Sequence, residues 1–114
     1  MVPDSDSIGR TDFNALFVES VVETVSIILG RSVSEAFVYH LQAYLGMTLD
    51  EMTNDTEALF KSLKDSFGIA GDVLGRRIVK VAYGKAGITF NEGVGLTLVE
   101  EVELLKQKMA ERSI

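Results

Sequence analysis

Thr11-Asp-Phe-Asn-Ala-Leu-Phe17-Val-Glu-Ser-Val21-Val-Glu-Thr-Val25-Ser-Ile-Ile-Leu29-Gly30 is the stretch on which the fold turns. Its valines and isoleucines suit a strand, since branched side chains sit well on a pleated surface. The spacing says otherwise. Phe13, Leu16, Phe17, Val21, Val25 and Ile28 recur at steps of three and four, with the polar residues Glu19, Ser20, Glu23 and Thr24 between them. The run is also longer than ordinary strands. The pattern predicts a helix from Asp12 to Leu29, with Thr11 as N-cap and Gly30 supplying a left-handed stop. Val18, Val22 and Leu29 widen the apolar stripe, so this helix is expected to be buried on more than one side.

Working outward, cap signals and glycines recur at helix-sized intervals. Ser32-x-x-Glu35 reads as a capping box opening a second helix, with Val33, Phe37, Leu41, Tyr44 and Leu45 as its apolar face and Gly46 as its stop. Thr48-x-x-Glu51 offers a single further turn. A third helix is expected from Asn54-x-x-Glu57 to Gly68, with Leu59, Phe60, Leu63 and Phe67 inward. The fourth runs from Ile69 to Ala86, stops at Gly87, and turns Val73, Leu74, Ile78, Val81 and Ala82 inward. Gly71 and Gly75 within it bare the backbone on one face, which suits a close crossing by another helix of the same chain. The last helix follows Gly93-Val-Gly95, with Thr97-x-x-Glu100 as a capping box. Leu98, Val102, Leu105 and Met109 then repeat at four, three and four, an a/d seam.

Period-two alternation is nowhere sustained, and no Asn-Gly or Asp-Gly turn joins two β-rich runs. The reading is all-α: a single small domain over 11–114, with four to five helices packed as a bundle or orthogonally. Residues 1–10 hold Pro3 and Gly9 without apolar periodicity and read as a disordered tail.

Composition narrows the functions. The chain of 114 residues is 46% apolar and 25% charged, with a net charge of −6. That balance argues against general affinity for nucleic acid or anionic membranes. Cysteine is absent, which excludes disulfides, thiolate nucleophiles and Cys-type metal sites. The most apolar run, Val25–Leu29, stops at Gly30, so no spanning helix is expected. Met1–Ser7 is acidic and polar, unlike a signal peptide, and a cytoplasmic location is expected.

Chemistry-bearing motifs are few. His40 is the single histidine and falls near the apolar edge of the second helix; it reads as a structural, partly buried imidazole. No metal-ligand spacing, no complete phosphate-binding loop and no paired carboxylates stand out, so no catalytic, metal or cofactor residue is assigned. Charge, however, is uneven. Residues 68–87 carry Arg76, Arg77, Lys80 and Lys85 against Asp72, a net +3, which leaves −9 for the rest of the chain. Arg76, Arg77 and Lys80 share one side of the fourth helix and form a candidate patch for an acidic or phosphorylated ligand or partner.

The segments Phe17-Val-Glu-Ser-Val-Val-Glu-Thr-Val25, Leu29-Gly-Arg-Ser-Val-Ser-Glu-Ala-Phe-Val-Tyr-His-Leu41 and Phe67-Gly-Ile-Ala-Gly71 resemble small archaeal helical proteins of no assigned function. The resemblance implies a cytoplasmic archaeal protein and brings no site residues. The function expected is a non-enzymatic interaction module that self-associates as a dimer, with Leu98, Val102, Leu105 and Met109 as the stripe that meets the second chain. The alternatives are a regulatory domain that takes an acidic or phosphorylated ligand on Arg76, Arg77 and Lys80, and a bundle with an apolar pocket for a small molecule.

Overall fold

A computed structural model describes residues 5–91 and 95–112, with side chains in the first helix from Phe13 onward. The described residues form six helices: α1 (Ser5–Leu29), α2 (Arg31–Leu45), α3 (Leu49–Met52), α4 (Thr56–Phe67), α5 (Ile69–Ala86) and α6 (Leu98–Arg112). The all-α expectation is met, with the Thr48 turn counted as α3. The body measures 39 × 36 × 22 Å, and the short dimension fits two layers of helices.

α5 is the central element, packed on α1, α4 and α6. Its Leu74, Ile78, Val79, Ala82 and Tyr83 are buried, and they meet Phe13, Phe17, Val21 and Val25 of α1, Leu59 and Leu63 of α4, and Val102 and Leu105 of α6 in one core. Three glycines allow α5 to come so close. Gly68 turns the chain from α4 straight into α5 at φ 62°, ψ −133°, a conformation that side-chain-bearing residues rarely adopt. At Gly71 a Cβ would land on the carbonyl of Leu63 and 2.7 Å from the Lys64 amide nitrogen. At Gly75 a Cβ would stand 2.9 Å from a Leu98 methyl and 3.2 Å from the Phe60 ring. The Gly71–Gly75 spacing therefore serves crossings within the chain.

Helix ends follow local chemistry, with three departures from the sequence reading. α1 begins at Ser5, so Thr11 lies inside the helix and is not its cap; Met1–Asp4 lie outside the described residues. α2 begins at Arg31 directly after Gly30, whose φ of 100° lets the chain reverse within one residue. Ser32 is then already helical, no side chain caps this end, and Glu35 pairs with Arg31 at 3.2 Å instead. α4 is capped by Asp55 rather than Asn54, the Asp55 carboxylate accepting the Ala58 N–H at 3.2 Å. The other caps agree: Thr48 and Glu51 form a reciprocal box, as do Thr97 and Glu100. The backbone N–H of Thr48, and then its hydroxyl, hold the Glu51 carboxyl below its usual pKa, and Thr97 does the same for Glu100. Of the flexible stretch expected before α6, Gly93 and Val94 lie outside the described residues.

The core is narrower than the apolar pattern. Ile28, Val33, Tyr44, Leu45 and Val73 were expected inward and are exposed. Ile28 ends α1 at the Gly30 corner, α2 rests chiefly on α1, and Val73 lies on the outer side of α5, so each has too few neighbours to cover it. Ser20, Thr24, Ser34 and Ser62 are buried in their place.

Candidate interaction surfaces

The a/d stripe of α6 is where the sequence pattern places a dimer contact. Val102 and Leu105 are fully buried, and Leu98 and Met109 pack against the same core. α1, α4 and α5 of the same chain cover the seam. The centre of the stripe is therefore spent inside the chain, and Leu98 and Met109 are half-buried at its two ends. A heptad seam needs a partner, and here the partner is intramolecular.

Tyr83 and Glu101 lock the back of this seam. The Tyr83 hydroxyl lies 2.7 Å from the Glu101 carbonyl oxygen and 3.1 Å from its carboxylate, and both residues are buried. Burial, then the hydrogen bond and charge of Glu101, push the Tyr83 phenol up to about 12. Phe90 packs on the same ring at 5.1 Å. This is a structural polar contact between helices.

On α5, Arg76, Arg77 and Lys80 are all exposed, as the charge pattern predicts. At 100° per residue they share an arc of roughly 100° with Ile69 and Val73, which are 84% and 60% exposed. The outer face of α5 is thus apolar in its first turn and a half and cationic beyond. Among the described residues, neither Arg76 nor Arg77 has a carboxylate within ion-pair distance. Lys85, one turn on, differs: Glu23 at 2.7 Å and Glu19 at 3.2 Å hold it to α1 and raise its pKa.

An open groove of about 660 Å³ lies beside that pair, lined by Leu16, Glu19, Lys85, Ala86, Met109 and Arg112 among others. The Arg112 guanidinium donates to the Ala86 carbonyl across its end. Of its two cations, Lys85 is already paired with the chain's own carboxylates, and Arg112 gives an N–H to a backbone carbonyl. Among the described residues, no three of His, Cys, Asp and Glu converge as a metal site.

The surface that sequence reasoning missed is α2. Between Glu35 and Asp50 the chain holds no Asp, Glu, Lys or Arg, yet most of this helix is exposed. Phe37 and Leu41 are buried on one side, the Phe37 ring packing at a tilt against Phe67 of α4 at 5.6 Å. On the opposite side Ser32, Ala36, Tyr39 and Ala43 stand in line at steps of four, three and four, all exposed. Tyr39 is 71% exposed. His40 and Tyr44 lie to one side of this line with their rings 4.7 Å apart and tilted, so the histidine is a half-buried ring partner of Tyr44. The signal in the sequence is the gap in charge, since alanine, serine and tyrosine form no apolar stripe of their own.

Compared with protein families, curated proteins and solved structures, the chain matches none. Among the described residues no helix is long and apolar enough to cross a membrane.

Proposed function

We propose that the protein is a non-enzymatic, cytoplasmic self-association module that dimerises through the outer face of α2. The observation that carries the reading is the uncharged line Ser32, Ala36, Tyr39 and Ala43 on an exposed helix. Water-facing helix sides ordinarily carry charge, and an uncharged exposed face marks a contact surface. Two properties favour a second copy of the chain as the partner. A two-fold contact sets the same face against itself, with residues near the axis meeting their own kind, and an uncharged face does this without like-charge repulsion. Ala36 and Ala43 are small enough to let two helices approach closely, with Tyr39 as the aromatic anchor between them. Over its 15 residues α2 presents a seam about 22 Å long.

The absence of cysteine makes a direct test simple. A nitroxide label on Gln42→Cys should give a strong dipolar coupling between chains, which dilution with unlabelled protein removes. Lack of coupling in concentrated, fully labelled protein overturns the reading.

A further inference from the structure

The outer face of α5 is a second surface, on a different helix, and it has the wrong charge for the same role. A two-fold contact there would bring two sets of Arg76 and Arg77 together. We infer that this face docks an acidic amphipathic helix of another protein. The position of each side chain shapes that occupant. Ile69 and Val73, one turn apart, are 84% and 60% exposed and form an apolar step. Arg76 and Arg77 follow within the next turn and Lys80 one turn further, all on the same arc. From Ile69 to Lys80 the face runs about 16 Å, close to three helical turns.

A phosphate or a nucleic-acid backbone has use for the guanidiniums only and leaves Ile69 and Val73 in water. An acidic helix uses both halves. Its apolar residues cover Ile69 and Val73, and carboxylates one to two turns along reach Arg76 and Arg77, for which the described residues supply no ion-pair partner. Paired guanidinium–carboxylate contacts next to an apolar step fix both orientation and register, which an even field of charge does not. The groups facing this surface from its own helix include one acid, Asp72, exposed and offset to the side of Arg76.

The probe is a synthetic helical peptide of about five turns, with leucine on one face and glutamate beside it. Its lysine-for-glutamate counterpart and a single-stranded thymidine oligonucleotide are the controls. Amide resonances of the full chain are followed during titration. Saturable shifts centred on residues 69–80 with the acidic peptide, and none with the lysine peptide, are expected. Arg76→Glu with Arg77→Glu should weaken binding at least about tenfold, and added salt should weaken it further. Ile69→Asn with Val73→Asn should also weaken it several-fold while leaving the salt dependence in place. Both pairs are surface changes, and circular dichroism verifies the fold. No shift on α5 with the acidic peptide overturns the inference. So does an unchanged affinity for the Asn pair together with full displacement by the oligonucleotide, which marks a simple polyanion patch. The α2 contact uses other residues, so either proposal can fail alone.

Discussion

The Tyr83 hydroxyl touches Glu101 twice, at the carbonyl oxygen and at the carboxylate, so one side chain of α5 holds both the backbone and the side chain of α6. Its single proton is kept in the folded protein because a phenolate would sit buried beside a carboxylate. Tyr83→Phe removes that proton and leaves a buried carboxylate without its donor, at about 1–3 kcal/mol of stability. The pH dependence has a definite sign. The unfolded tyrosine ionises near 10, whereas the folded one holds its proton up to about 12. Between those values the unfolded chain has lost a proton that the folded chain keeps, so stability falls as pH rises, by on the order of 2 kcal/mol. Below 10 the contribution is fully present. Urea unfolding from about pH 9 to about pH 11.5 should show this decline in the wild type and a flatter profile in Tyr83→Phe.

The glycine crossings predict an ordered series. Gly71→Ala drives a methyl into the backbone of α4, which cannot yield as a side chain can; Gly75→Leu displaces Leu98 and Phe60. Both should lose about 1–3 kcal/mol or more. Gly84→Ala, in the last turn of α5, meets nothing within 4 Å and should gain a few tenths of a kcal/mol, at most about 1 kcal/mol. Equal effects at all three positions in chemical denaturation would contradict the close approach of α5 to α4.

Thr24 carries a fault that a substitution can repair. Its hydroxyl is buried in the core without a hydrogen-bond partner among the described residues, whereas Ser20, one turn earlier, donates to the Leu16 carbonyl at 2.7 Å. Thr24→Val keeps the shape and removes the unmet polar atom. It should raise the denaturation midpoint by an amount worth about 1 kcal/mol, with the slope unchanged. A drop in stability would mean the hydroxyl is satisfied.

Much of the fold is legible in the sequence because caps and glycines are local signals. The bounds of α5, the Gly46 stop of α2 and the Thr48 and Thr97 boxes all follow from the order of residues. Burial is not local. Tyr44 and Val73 occupy apolar positions on their helices and still face water, because no other element lies over them. The contact between Tyr83 and Glu101 joins residues 18 apart across a loop, and no periodicity encodes it. The basic face of α5 was readable from charge alone. The face of α2 is not, because Ser32, Ala36, Tyr39 and Ala43 leave no apolar stripe in the sequence.

The α6 stripe gives a prediction that separates core from interface. Leu105 is fully buried against its own chain. Leu105→Glu should therefore unfold the protein or lose about 3 kcal/mol or more, with loss of helical circular dichroism. A mutant that stays helical and merely changes its oligomeric state would return the stripe to the surface.

The central claim is that α2 joins two copies of the chain, and light scattering after size exclusion tests it most directly. The wild type should elute with twice the 12.5 kDa mass of one chain. Ala36→Arg with Ala43→Arg places like charges against each other across the proposed seam and touches no core residue, since both alanines are exposed. That variant should elute as a single chain with unchanged helical content. A wild type that stays at 12.5 kDa at every concentration, or a double variant that keeps the doubled mass, contradicts the account.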